Sequence, residues 1–103
     1  RKLRVLALHG KASNSNIMML QVAQLKSELG SDAEWLFLDA QMLWTKETDP
    51  RGKTEPSDAE KLISRGKPFY TWILYRNGWE CIPEACSHLL EYIREQEPVD
   101  VIV

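Results

Sequence analysis

The sequence has only two cysteines, Cys81 and Cys86, and it contains no long hydrophobic run. Two cysteines make no disulfide framework, and their spacing is not that of a CxxC pair. We expect both cysteines on one helix, where the four positions between them make them face different sides. A membrane span needs about 20 consecutive apolar residues, and the basic N-terminus precedes too short an apolar stretch for a signal peptide. We therefore expect a cytoplasmic protein with no membrane partner.

Charge of one sign and glycine-rich motifs are also scarce. Thirteen basic and fifteen acidic residues give a formal net charge of −2, which argues against nucleic-acid binding, because that function needs a basic stripe. No GxGxxG, Walker, HExxH or paired CxxC pattern is present, so we expect no cofactor and no metal. The 103 residues, 44% of them hydrophobic, suit at most one globular domain.

Apolar runs and helix signals alternate along the chain. Short apolar runs predict three strands. They cover residues 2–8 (KLRVLAL), 34–39 (EWLFLD) and 99–103 (VDVIV). Helical spacing and capping signals predict one helix over residues 17–29 ended by Gly30, a short one after a capping box at Ser57, and one from Pro83 to Pro98. The pattern indicates an α/β fold: a three-layer parallel sheet with helices on both faces, the first strand central and the order 2-1-3.

The candidate site lies where the central strand ends, at His9, Gly10 and Lys11. Ligands bind at such a switch point in open α/β sheets. A glycine there permits a sharp turn, and the amides after it can stabilise a developing oxyanion or bind a phosphate. On these residues alone, it is equally plausible that Gly10 only makes a turn and His9 only packs.

No nucleophile can be identified in this stretch. The sequence has no GxSxG motif, and Ser64 comes closest but is followed by the end of a predicted helix. His88 fits a partly exposed helix face better than a catalytic base, and pairing it with Cys86 as a nucleophile is improbable. The aromatic residues between Phe69 and Trp79 could line a substrate pocket, although hydrophobic cover beneath the long insertion over residues 40–80 is the commoner role.

Five segments together resemble a known family. They are LRVLALHG at residues 3–10, Asn14, FLDA at residues 37–40, YRNG at residues 75–78 and EPVDVIV at residues 97–103. In this order they are similar to the start of the FSH-type serine hydrolases, which belong to the α/β-hydrolase superfamily. The resemblance spans nearly the whole chain.

The resemblance implies a partial α/β-hydrolase fold. Residues 1–103 would be the N-terminal part of a single domain, truncated before the nucleophile elbow. The family's serine would be the third residue after Val103, with the acid and the histidine later, so we expect no triad-dependent hydrolysis from this stretch alone. The complete domain would be a carboxylesterase or thioesterase acting on a small-molecule ester or thioester.

The resemblance also assigns roles to residues that are present. The backbone N–H of Lys11 would be one oxyanion-hole donor, Gly10 would permit the turn, and His9 would support the loop. The aromatic side chains assigned to substrate binding are Trp44, Trp72 and Tyr75. Two departures from the family are Lys11, where an aromatic or apolar residue is usual, and Gln41, where proline is common. The Lys11 cation could favour an acidic substrate or simply reach solvent.

Enzymatic activity is not the only interpretation of these residues. The alternative is a non-catalytic α/β module that binds an anion or a protein partner. In either case the strand at residues 99–103 would present an unpaired edge, which is a template for self-association or for pairing with another chain.

Overall fold

The computed structural model describes residues 1–45, 47–50 and 55–103. Part of the predicted loop after residue 40 therefore lies outside the described residues. The strands are β1 (Leu3–Leu8), β2 (Ala33–Leu38), β3 (Met42–Leu43), β4 (Tyr70–Thr71), β5 (Ile73–Tyr75), β6 (Trp79–Cys81) and β7 (Val101–Ile102). The helices are α1 (Ser15–Gln21), α2 (Ala23–Leu29), α3 (Asp58–Ser64) and α4 (Pro83–Gln96).

The main sheet has three parallel strands in the order β2-β1-β7. β1 pairs with β2 over its whole length, from Leu3 opposite Ala33 to Leu8 opposite Leu38. On its other side β1 pairs with β7, and Leu6 lies opposite Ile102. The α/β class and the predicted strand order 2-1-3 are therefore confirmed, and the first strand is central.

The core is densest at the middle of β1. Val5, Leu6 and Ala7 are all buried, as a continuous apolar run in a parallel sheet requires. Leu6 has an exposed fraction of 0%, and burying a leucine side chain contributes about 2 kcal/mol. The burial of this strand fixes the position from which the loop at His9 departs.

The helix predicted over residues 17–29 is wrong as a single element, because it is two helices that meet at Val22. Val22 has φ −98° and ψ 4°, outside regular helical geometry. Val22 is buried, and β-branched side chains have a low helix propensity. Burial of Val22 at this position therefore outweighs continuity of the helix. Beyond the break α2 has no buried residue, and Leu25 of the predicted apolar stripe is exposed.

The region between β2 and α4 adds two small antiparallel pairs, β3 with β4 and β5 with β6. The predicted capping box is confirmed: Ser57 accepts from the Glu60 N–H, and the Glu60 side chain accepts from the Ser57 N–H. Tyr75 and Trp79, at the end of the aromatic segment, lie opposite each other in the β5–β6 hairpin.

Arg4 on β1 holds the chain segment that leads from the end of α4 into β7. Its guanidinium donates to the carbonyl oxygens of Gln96 and Pro98 at 2.9 and 2.8 Å and pairs with Glu34 on β2 at 2.7 Å. The Arg4 N–H donates to the Asp100 carboxylate at 2.8 Å. These contacts hold the segment after α4 against the sheet, so that β7 aligns parallel to β1. Within the described part of the chain, no helix has the length and apolarity to cross a membrane.

Candidate active site

His9 is the first residue after β1, and it is almost completely buried, with 3% of its surface exposed. Its Nε2 accepts a hydrogen bond from the Ala40 N–H at 3.0 Å. An amide N–H can only donate, so Nε2 carries the lone pair and Nδ1 carries the proton. Nδ1 then donates to the Gly10 carbonyl oxygen at 2.7 Å. Both ring nitrogens of His9 are therefore occupied, and the bond at Nε2 joins the end of β1 to the end of β2.

The environment of His9 keeps its ring neutral. Burial lowers the pKa of His9 below its usual value, against opposing contributions from the Gly10 carbonyl and from Asp39. Trp72 covers this arrangement: its ring centroid lies 5.3 Å from that of His9, and its Nε1 donates to the His9 carbonyl at 3.0 Å. The histidine thus has the partners of a structural support.

The turn after His9 differs from the prediction in one respect. The residue with a positive φ is Ala12, at 55°, and Gly10 is not in that region. A Cβ added to Gly10 would meet no atom within 4 Å. The described contacts therefore give no steric reason for glycine at position 10, and the space in front of the loop is open.

The backbone N–H of Lys11 has no hydrogen-bond acceptor within residues 1–45, 47–50 and 55–103. The turn is nevertheless ordered on its far side, because the backbone of Ser13 exchanges two hydrogen bonds with that of Tyr70, at 3.1 and 2.7 Å. A fixed loop with an uncommitted amide is the arrangement that binding an anion or an oxyanion requires.

The side chain of Lys11 is held by groups from two other segments. Its Nζ lies 3.3 Å from the Asp49 carboxylate and 4.3 Å from the centroid of the Trp79 ring. Asp49 also accepts from Trp44 Nε1 at 3.3 Å, and Tyr75 packs edge-on against Trp79 with centroids 5.3 Å apart. The ammonium therefore has an anionic and an aromatic neighbour within the protein.

These contacts show where the three predicted substrate-binding aromatics lie. Trp72 touches His9 directly. Trp44 contacts Asp49 and Tyr75 contacts Trp79, and these two contacted residues are the ones that hold the Lys11 ammonium. The structure thus gathers all three around the loop that follows β1. Their role in binding substrate stays a prediction.

Asn14 anchors the far end of the loop and begins α1. Its Oδ1 accepts from the Ile17 N–H at 3.1 Å, which makes it the N-cap. Its Nδ2 donates to Ser64 Oγ at 3.0 Å and to the Pro68 carbonyl at 3.1 Å. The side chain is fully buried, so these hydrogen bonds replace all contact with water. The family resemblance singled out Asn14, but its bonds to α3 and the following turn were not predicted.

A second polar cluster lies beside Asn14, where β2 ends. Asp39 accepts from the Ser15 N–H at 2.7 Å and from Lys67 Nζ at 2.6 Å, and Lys67 also donates to Ser15 Oγ at 2.6 Å. Burial alone would raise the pKa of Asp39, but the hydrogen bonds from Lys67 and Ser15 outweigh it and lower the pKa. The ionised carboxylate joins β2, α1 and the segment after α3.

The sequence indicated Asp39 only through the family resemblance and gave no sign of Lys67 or Asp49 as partners. Lys67 reaches Asp39 across 28 positions, and Lys11 reaches Asp49 across 38. Trp79 was noted as an aromatic residue but not as a neighbour of Lys11. A charge opposite a charge at such separations carries no periodic signal, so only the fold reveals these pairs.

The expectation that the cysteines face different sides is wrong. Cys81 ends β6 and lies before α4 begins at Pro83, so only Cys86 is helical. Their Sγ atoms are 3.0 Å apart, and both thiols are free. His88 is half-buried on α4, where it lines an open groove with Gln41 and Glu84.

Comparison with known proteins gives a consistent result. The profile of the serine hydrolase (FSH1) family matches residues 1–103. The chain is also 31% identical over 100 residues to Hydrolase FUB4 of Fusarium oxysporum f. sp. lycopersici (strain 4287). That alignment covers 97% of this chain and 33% of the fungal protein, so the chain spans about a third of that relative's length. No solved structure matches the chain.

Proposed function

Because the chain belongs to the serine hydrolase (FSH1) family, we propose that it forms the N-terminal part of a complete α/β-hydrolase domain, with helices on both faces of the sheet. The reaction of that domain is hydrolysis of a carboxylic ester or thioester by a serine nucleophile. The observation that carries the proposal is the uncommitted Lys11 N–H immediately after the central strand.

The proposed role of the Lys11 N–H is to stabilise negative charge. When a serine attacks an ester carbonyl, the carbonyl oxygen becomes an oxyanion in the tetrahedral intermediate. A donor about 2.7–3.1 Å from that oxygen, fixed before the reaction, stabilises the transition state. In α/β-hydrolases one such amide comes from the loop after an early strand and the other from the residue after the nucleophile. Lys11 occupies the first position.

The adjacent strand ends support the proposed origin of the nucleophile. The Leu8 N–H donates to the Val103 carbonyl at 2.9 Å, and the Val103 N–H donates to the Leu6 carbonyl at 2.9 Å. The carboxyl ends of β1 and β7 are therefore neighbours. A serine on a turn that follows β7 would face the loop that carries Lys11, which is the geometry that the oxyanion step needs.

His9 is proposed as loop support and not as the catalytic base. Both of its ring nitrogens are occupied by backbone partners, at Gly10 and Ala40. A general base must offer an unprotonated nitrogen to the nucleophile, and His9 has none to spare. The histidine of the triad would therefore come from elsewhere in the domain.

The surroundings of Lys11 favour an uncharged, partly apolar acyl group. The Lys11 ammonium is already paired with Asp49 and stacked on Trp79, so attraction of an acidic substrate would require it to leave both. Trp44 and Tyr75 add aromatic surface next to this pair. We assign these aromatic groups to shaping the entrance on the Lys11 side, with Trp72 supporting His9 beneath.

The free side of β7 is proposed as a pairing edge. Its outer edge has no strand partner within the described residues, and Ile102 is 52% exposed. An unpaired edge in a parallel sheet accepts another strand through its backbone groups. The occupant is a further strand of the same domain or, for an isolated 1–103 polypeptide, a second copy.

A serine-directed fluorophosphonate probe tests the proposed function. The complete protein is expected to bind one probe per chain on a single serine and to hydrolyse a short-chain nitrophenyl ester, with the labelled protein inactive. A polypeptide limited to residues 1–103 is the matched control and is expected to remain unlabelled. A complete protein that neither binds the probe nor cleaves the ester would contradict the proposal.

A further inference from the structure

We propose that Cys81 and Cys86 are a dithiol pair that the fold brings into position to form an intramolecular disulfide, which makes them a site of reversible oxidation. The observation is the 3.0 Å separation of their Sγ atoms, with both thiols reduced. A disulfide bond is about 2.05 Å long, so closure requires the sulfurs to approach by roughly 1 Å. The inference does not depend on the proposed hydrolase activity.

Hydrogen bonds hold the backbone of the segment that joins the two cysteines. Between the cysteines, Ile82 is fully buried and its N–H donates to the Trp72 carbonyl at 3.1 Å. The Cys86 N–H donates to the Ile82 carbonyl at 3.1 Å, and Pro83 begins α4 with its φ already fixed near the helical value. These contacts set the end of β6 against the first turns of α4. The two sulfurs are neighbours because of this junction between β6 and α4, and not because of their spacing in the sequence alone.

Oxidation by a small disulfide, such as oxidised glutathione, balances in two steps. The thiolate of one cysteine attacks a sulfur of the reagent, which forms a mixed disulfide and releases one glutathione thiolate. The second cysteine attacks the protein sulfur of the mixed disulfide, which closes the Cys81–Cys86 bond and releases the second glutathione. Two protein thiols are oxidised, one reagent disulfide is reduced, and the two protons pass to the released thiolates and solvent.

The two cysteines differ in a way that sets the order of attack. Cys81 is exposed, whereas Cys86 is half-buried at the start of α4. A hydrogen bond with the Cys81 sulfur, followed by desolvation, raises the pKa of the Cys86 thiol, which disfavours its thiolate. Cys81 is therefore the attacking cysteine and Cys86 the resolving one. Closing the bond would tie the β5–β6 hairpin, which carries Trp79 to Lys11, to α4.

Peptide mapping after equilibration with glutathione redox buffers tests the proposal. Trypsin releases both cysteines in one peptide, residues 77–94, because no lysine or arginine lies between Arg76 and Arg94. The folded protein is expected to yield this peptide about 2 Da lighter, with no thiol left to alkylate. A synthetic peptide of the same residues is the matched control for proximity by sequence alone.

The expected difference is at least about tenfold in the equilibrium constant for disulfide formation, equivalent to about 30 mV in reduction potential. The folded protein should be the more readily oxidised of the two. Equal constants for protein and peptide would overturn the proposal, as would a folded protein that stays reduced or stops at a glutathione adduct.

Single variants separate the two cysteines. Cys86→Ser is expected to accumulate a stable mixed disulfide on Cys81, because the resolving thiol is missing. Cys81→Ser should react more slowly, since the remaining thiol is less accessible. If Cys86→Ser instead resists glutathionylation while Cys81→Ser reacts rapidly, the assigned order is wrong. If neither variant forms an adduct, the pair is not an oxidation site.

Discussion

The loop after β1 and the outer surface of the molecule are stabilised in different ways. At the loop, polar side chains are buried and hydrogen-bonded. The side chain of His9 makes two hydrogen bonds and that of Asn14 makes three, all with other residues. On the outer surface, apolar side chains such as Leu62, 80% exposed, have little cover. The buried side chains of β1 supply stability, the hydrogen bonds fix the shape of the loop that follows it, and the exposed apolar side chains contribute little to either. Substitutions should separate these two contributions.

The largest expected loss of stability comes from the middle of β1. Leu6→Ala removes a fully buried side chain and leaves a cavity, which should lower the free energy of unfolding by about 3 kcal/mol. Leu62→Ala is the same chemical change on the exposed face of α3 and should change it by less than about 0.5 kcal/mol. Urea denaturation of both variants measures the difference, and equal effects would refute the contrast between the regions.

A smaller loss is expected at the polar anchor of the loop. Asn14→Ala removes a helix cap and leaves the buried Ser64 hydroxyl and the part-buried Pro68 carbonyl without the Asn14 donor, which should cost about 2 kcal/mol. Ser57→Ala removes an exposed cap of the same kind on α3 and should cost about 1 kcal/mol or less. Chemical denaturation would disprove the account if the exposed cap proved the more costly to remove.

The pH dependence of stability should report on His9. Burial lowers the pKa of His9 in the folded state, so below its ordinary value of 6.5 the unfolded chain binds more protons than the folded one. The contribution of neutral His9 is fully present above pH 6.5 and is lost as the pH falls toward the folded-state pKa. His9→Gln should remove this slope from urea titrations between about pH 5 and pH 8.

His88→Gln is the matched control. It changes the second histidine, which lies on α4, and leaves the His9 loop untouched. The variant should retain the slope that His9→Gln loses. A slope that persists without His9 would mean that the buried ring does not govern this part of the pH profile.

The sequence predicted the elements of the fold better than the contacts between them. Apolar runs and caps identified the three parallel strands and the start of α4 at Pro83, because those signals are local. The break at Val22 was missed because it follows from packing, which helical periodicity does not record. The cysteine contact was missed because Cys81 was assigned to a helix that begins two residues later.

The site was predictable in position but not in its supports. A buried strand that ends at His9 and Gly10 indicated the loop, and the family resemblance indicated the Lys11 amide. The partners that hold the loop, such as Trp72 on His9 and Asp49 on Lys11, come from segments 63 and 38 positions away. Their pairing depends on how the insertion folds back on β1, and a single sequence has no spacing that records it.

Replacement of the Lys11 amide tests the central claim most directly. In the complete protein, Lys11→Pro removes the N–H, whereas Lys11→Ala removes the side chain and keeps the N–H. Ester hydrolysis by Lys11→Pro should fall by about 10²–10³ in kcat with KM little changed, and Lys11→Ala should stay close to wild type. With both variants verified as folded by circular dichroism, an undiminished kcat in Lys11→Pro, or an equal loss in Lys11→Ala, would contradict the assignment of this amide to the oxyanion.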